Sequence, residues 1–368
     1  MNKETSVYLD AARFLAALAV MLCHIDDFIV KGVFPFIDHI GVESVGVFFV
    51  LSGFVIGYAT EFRETDLRTY ATNRAARLYS VVIPCLTLTL LLDTLGKHVF
   101  PAIYYGRESF LREAAHIAFS FSFLNYSWLL PHPVLPGNNG PFWSLCFEAP
   151  YYVVFGLAFY LRGFKRWLAA VAVLLVAGPA IAGFFPMWLA GFGVYKLCRK
   201  ITLKPWAARA VFLSSVLLWI CFEWLLKHFN ICPSVPAIVR AGPILLYGSA
   251  ICFGLSIIGF RFCEITLGAS LLARIGRPIS WLAGATFTLY LLHFPLAWLL
   301  GGALAASPWH AWPAPLRWAL LAGVTPGIGL LTAQVTERKK HAWRRLIEIL
   351  LQGAGWPVRP GATGLESG

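Results

Sequence analysis

Charge is what this sequence has least of. Asp, Glu, Lys and Arg make up 13% of its 368 residues, about half of the roughly 25% usual in soluble proteins, which excludes an ordinary cytosolic enzyme. Acid is scarcer still, with 18 Asp and Glu against 30 Lys and Arg. The basic excess is not a nucleic-acid surface, because it falls in short clusters between apolar runs. The eight cysteines lack any paired metal spacing and mostly lie inside apolar runs, where Cys behaves as a small hydrophobe. Free thiols and no metal are expected. Also missing are a solenoid period, a low-complexity tract and any loop between apolar runs long enough for a soluble domain. The first apolar run has no small-residue cleavage site after it, so it is retained as a span rather than removed as a signal.

What is abundant is apolar: 58% of residues are hydrophobic and 15% aromatic, with a mean hydropathy of +0.70. The expected class is an all-α, polytopic integral membrane protein, since about 20 apolar residues suffice to cross a bilayer. Spans are predicted at 7–30, 44–60, 79–96, 142–161, 167–184, 185–199, 208–227, 240–260, 281–303 and 316–335. Basic clusters lie at Arg63, Arg68, Arg74 and Arg77, at Arg162 to Arg166, at Lys196 to Arg209, at Arg261 to Arg277 and after Arg338. The positive-inside rule puts them all, and both termini, in the cytoplasm. Between the first two clusters the chain must cross an even number of times, which 79–96 and 142–161 already do. The weaker stretch 112–130 therefore dips in from the outer face as a re-entrant or interfacial helix, leaving ten crossings. The expected organisation is a membrane domain over 1–336, a basic interfacial helix over 337–352 on the anionic inner leaflet, and a disordered Gly- and Pro-rich tail over 353–368.

Ionisable groups inside a bilayer cost about 2.5–3.5 kcal/mol each even on gentle scales, so each needs a partner or a purpose. The first span carries Arg13 and His24, and eleven residues put them on one face about 16 Å apart. A snorkelling Arg and a satisfied core His would explain either residue alone. The second span carries Ser52 and Gly53 in VFFVLSGFVIGY, where small residues allow helices to approach. Arg74 and Arg77 stand at the cytoplasmic mouth of the third span, read as a solvated loop. FWSLCFEAPYY places Trp143 and Ser144 before Glu148, two turns into its span, and TFTLYLLHFPL holds Tyr290 and His293 three residues apart.

Taken together these stretches resemble the acyltransferase 3 family of membrane O-acyltransferases, which act on sugars of bacterial envelopes and exopolysaccharides. LDAARFLAALAVMLCH resembles the opening motif, GVFFVLSGFVIGY the second-span signature, Arg74 with Arg77 the paired Arg, FWSLCFE the Trp-Ser-Leu-x-x-Glu stretch, and YLLH the Tyr-Leu-x-His motif. The likeness runs through nearly the whole chain in order. Two departures stand out: Gly46 occupies a position where many members have Asp, and no C-terminal esterase-like domain follows, as in stand-alone members.

The resemblance implies acyl-CoA, acetyl-CoA in the first instance, as cosubstrate, with no permanently bound cofactor. It implies a glycan or glycolipid acceptor, a lipid environment in the bacterial inner membrane, and leaves a homo-oligomer open. Acyl transfer to a hydroxyl needs a base and an anchor for the anionic carrier. His24 is the expected base, oriented by Glu148, with Asp26 and Asp27 as nearer but more solvated alternatives. Arg13, Arg74 and Arg77 are expected to hold the donor, guanidinium forks being suited to phosphate. Asp26, Ser52, Trp143, Ser144, Tyr290 and His293 are expected to line the site, Tyr290 and His293 either on the acceptor side or holding the base. A proton-coupled transporter or glycan flippase is the alternative class, with His24, Glu148 and His293 as a relay, but the inverted repeats expected there are not visible.

Overall fold

With almost no water along its length, the chain must satisfy its backbone amides internally, and it does so as helix. The computed structural model describes residues 2–34, 40–104, 108–229, 238–264 and 269–353. Among them there is no strand. The helices are α1 (Lys3–His24), α2 (Ile40–Phe62), α3 (Leu67–Val99), α4 (Phe110–Ser120), α5 (Trp143–Tyr160), α6 (Lys165–Ala177) and α7 (Pro179–Lys200). They continue with α8 (Pro205–His228), α9 (Ile238–Phe262), α10 (Ala269–Ala283), α11 (Thr286–Ala306), α12 (Ala314–Ala333) and α13 (Lys340–Gly353). Nine helical segments among the described residues are long and apolar enough to cross a membrane, so the protein is a polytopic all-α membrane protein.

The tenth expected span is the short α6, with 13 residues. The boundary expected at 184/185 falls instead at Gly178, whose φ of +100° breaks the helix in a region that favours glycine. The open end of α6 is closed by the segment after α4: Ser127 Oγ donates to the Val176 carbonyl (2.5 Å) and Trp128 Nε1 to that of Leu175 (2.7 Å). In the stretch 112–130 only α4 is regular, and its 11 residues reach about 16 Å, too short to cross. A reporter placed at His132 or Gly137 is accordingly expected on the face opposite Lys165. Finding either reporter on the same face as Arg68, in the first turn of α3, would mean that α4 and its following turns cross.

The buried axis of the bundle is α2, which packs against α1, α7 and α9. It can do so because glycines let backbones touch. A Cβ on Gly53 would collide with the Trp188 carbonyl of α7, and one on Gly191 with that of Val50. Gly46 faces α9 in the same way, where a Cβ would come 2.7 Å from the Leu246 carbonyl oxygen. The absence of Asp there thus has a steric cause in this chain.

Two sequence expectations are corrected by the helix boundaries. The third helix starts twelve residues before the apolar run at 79, N-capped by Asp66, whose Oδ1 accepts from Thr69 N (3.0 Å). Arg74 and Arg77 are therefore side chains of α3, partly buried, and not members of a solvated loop. Asp26 is not solvated either. It is 1% exposed in a π-helical turn, Ile25–Ile29, that follows α1, and its Oδ1 accepts from the amides of Val33 (3.1 Å) and Phe34 (3.0 Å).

No disulfide joins the seven cysteines among the described residues. Cys232 and the tail from residue 354 lie outside the described residues. After α12 a short 3₁₀ turn, Glu337–Lys339, leads into α13, which packs on α3 and leaves Leu346, Ile349 and Leu350 exposed along one stripe.

Candidate active site

A cavity opens between α1, α2, α3, α5 and α11. Its walls collect residues from every one of the distant motifs. Arg13, Ser52, Arg74, Arg77, Ser144, Glu148 and Tyr290 all line it, with Tyr152 and an apolar wall from Val45 to Val55 of α2.

The three arginines are not equivalent. Arg74 reaches back to Glu64 in the α2–α3 turn (2.5 Å), a carboxylate whose other hydrogen bond comes from Asn73 (2.9 Å). Its guanidinium also lies 5.7 Å from both the Tyr70 and Tyr152 ring centroids. Arg13 has a looser ion pair with Asp10, at 3.7 Å. Arg77 interacts electrostatically with Tyr152 and Glu148. Glu148 itself accepts from Tyr152 Oη at 2.6 Å, and Tyr152 in turn meets Ser52 Oγ at 3.1 Å, where Trp188 Nε1 also donates (3.1 Å). This layer of Arg, Tyr and Glu fills the end of the cavity nearer the basic clusters.

At the other end Ser144 Oγ and Tyr290 Oη share a hydrogen bond of 2.8 Å, and Phe48 packs edge-on to the Tyr290 ring, centroids 5.5 Å apart. His293 follows three residues on along α11. Its Nε2 lies 2.8 Å from Nδ1 of His24, with the two rings edge to edge and nearly coplanar, centroids 5.1 Å apart and planes 13° from parallel. The proton positions follow from one fixed acceptor. His293 Nδ1 is 3.1 Å from the Leu289 carbonyl, which can only accept, so Nδ1 carries the proton. His293 Nε2 is then an acceptor for His24 Nδ1–H, and His24 is left with a bare Nε2. That is the tautomer a general base requires. Phe28 and Phe294 frame the His24 ring edge-on at 5.7 and 5.0 Å.

Two groups expected to act together are thus apart. His24 bonds His293, whereas Glu148 bonds Tyr152 and belongs with the arginines. Asp26 staples the turn after α1, and Trp143 packs edge-on to Phe147 (5.3 Å) outside the cavity lining.

A family profile described as an acyltransferase domain matches residues 6–333. The chain belongs to this acyltransferase family. Relatives include acyltransferase MdmB of Streptomyces mycarofaciens, 28% identical over 48% of this chain and 47% of that protein. An O-acetyl transferase of Shigella phage Sf6 is 27% identical over 45% of this chain and 49% of the relative. Peptidoglycan O-acetyltransferase OatA of Listeria monocytogenes serovar 1/2a is 23% identical over 84% and 52%. The chain therefore spans about half the length of these relatives. No solved structure shows significant similarity.

Three residues of this acyltransferase were invisible to motif reading. Tyr152 stands one turn after Glu148 and on the same face, a spacing that predicts contact. Glu64 stands ten residues before Arg74, in the turn that precedes α3. Glu337 opens a run, ERKKHAWRR, that reads as surface, yet its Oε2 accepts from the amides of Phe287 (2.9 Å) and Thr288 (3.1 Å) in the first turn of α11.

Proposed function

We propose that the chain transfers an acyl group, acetyl in the simplest case, from acyl-CoA to a hydroxyl of a cell-envelope glycan, exopolysaccharide or other glycosylated acceptor. The observation that carries this is the cavity itself: it begins among Arg13, Arg74 and Arg77 and ends at Ser144 and Tyr290, next to the His24–His293 pair. The relatives' names, an acyltransferase and two O-acetyltransferases, support the same reaction class. In this reading the basic end of the bundle faces the cytoplasm, with both termini there and the host membrane the inner membrane. The exposed Leu346, Ile349 and Leu350 of α13 then rest on the anionic inner leaflet beside the basic residues 338–345.

The donor's phosphates meet Arg13 and Arg77, and its pantetheine arm follows the apolar α2 wall toward Tyr290. The Phe48 and Tyr290 rings part to admit the thioester. His24 Nε2 removes the proton of the acceptor hydroxyl as its oxygen bonds to the thioester carbonyl carbon. Collapse of the tetrahedral adduct breaks the C–S bond, and the imidazolium returns the proton to sulfur, giving CoA-SH and the ester. His293 holds the imidazole in the productive tautomer throughout, the orienting role expected of Glu148.

The test is acyl-CoA turnover by the purified chain in liposomes with a glycan acceptor, compared with acyl-CoA hydrolysis without one. Arg77→Gln should raise the KM for acyl-CoA roughly 10- to 100-fold, the loss of about 1.5–3 kcal/mol typical of a hydrogen bond to a charged group. Unchanged donor affinity in the folded variant would place the carrier site elsewhere.

A further inference from the structure

The family match ends at residue 333 and Glu337 lies beyond it. Its two bonds to Phe287 and Thr288 satisfy amides that the first turn of a helix leaves without partners. Gln could cap α11 equally well. What a cap alone does not explain is the company. Thr286 and Phe287 line the cavity wall together with Arg13 and Arg77, so a carboxylate hydrogen-bonded to the Phe287 amide is held against that wall, in electrostatic reach of both guanidiniums. Two partly buried arginines side by side repel each other and have lost hydration. Arg74 is already engaged by Glu64, and Asp10 is 3.7 Å from Arg13. Asp10 acts on Arg13 and Glu148 on Arg77, and Glu337 is the carboxylate that acts on both.

We propose that Glu337 is a positioning residue that acts as a built-in counter-ion. It holds Arg13 and Arg77 in place when the cavity is empty, and its charge opposes the phosphates of the donor and of the CoA product, so that CoA leaves after each turnover. This rests on the acyl-CoA reading above. The carboxylate touches no reacting atom. Its effect passes through the two arginines and through the start of α11, the helix that carries Tyr290 and His293.

The experiment is CoA binding by the full-length protein in detergent micelles at low ionic strength, with melting temperatures measured alongside. Glu337→Gln, which keeps an oxygen for the α11 amides, should bind CoA about tenfold more tightly, equivalent to about 1.4 kcal/mol of repulsion removed. Glu337→Ala should also bind CoA more tightly per folded molecule but melt at a lower temperature, because the α11 amides lose their acceptor. Glu337→Asp keeps the charge and should not tighten binding. A purely structural cap predicts a silent Gln variant and weaker binding by the Ala variant, and either result overturns the proposal. So does a Glu337→Gln protein that cannot assemble, because the charge would then be a folding requirement. Wild-type protein that binds no CoA at all would instead remove the acyl-CoA reading.

Discussion

Replacing His24 by Ala should leave a protein that inserts, folds and binds CoA, yet transfers acyl groups some 10²- to 10⁴-fold more slowly, the usual loss for an acid or base. The folding cost is small for a local reason. His24 sits at the last turn of α1, half-buried between Phe28 and Phe294. The substitution leaves a single acceptor, His293 Nε2, without its donor, a penalty of about 1–3 kcal/mol. His293→Ala should be milder in kind: the base remains, but without its acceptor the imidazole loses its orientation and divides between tautomers. Transfer per folded molecule, measured together with CoA affinity, separates these roles. Wild-type turnover in the His24→Ala protein would remove His24 from the chemistry and leave His293 as the base.

Arg74→Ala should be the most destabilising of the three arginine substitutions. Glu64 and Arg74 side chains are only 3% and 14% exposed, and removing one member of such a pair strands the other charge, at about 3–5 kcal/mol. The expected result is a large drop in melting temperature or failure to assemble. Adding Glu64→Gln to Arg74→Ala should recover most of the loss, since the stranded charge is then gone. Arg77→Gln strands no buried carboxylate hydrogen-bonded to it and should assemble normally while losing donor affinity. If Arg74→Ala melts like wild type, the pair carries little stability and Arg74 can be judged as a donor ligand alone.

This difference between neighbouring arginines marks where sequence reasoning stops. Spacing placed Arg13 and His24 on one face, placed Arg74 and Arg77 one turn apart, and identified 112–130 as unable to span, because helical period and positive-inside parity are local or additive properties. It left His293 open between lining the acceptor side and holding the base, because the His24–His293 bond joins residues 269 apart and depends on how α1 leans on α11. It assigned Glu148 to His24 by depth alone, but depth does not fix which way a side chain turns, and Tyr152 claims Glu148 from the same helix. It placed Arg74 in a loop because charged residues lower hydropathy even where a helix continues past the lipid. Glu337 escaped for the same reason, as one acid in a basic run. Gly46 could be noticed as a departure but not explained until α9 was seen against it.

The shortness of α6 has a physical consequence for the lipid around it. Thirteen residues rise about 20 Å, against a hydrocarbon core of about 30 Å. The exposed face of α6, with Leu168, Val171 and Leu175, is therefore too short for an undeformed bilayer. Such a mismatch is relieved by local thinning, and Trp128, 61% exposed and bonded to the end of α6, has the ring that favours the headgroup boundary. The bilayer should dip on the flank where α6 packs against α5, bringing the opposite water surface closer to Ser144 and Tyr290 than the length of α2 or α3 would suggest. A hydrophilic acceptor approaching from that side would then have less hydrocarbon to pass.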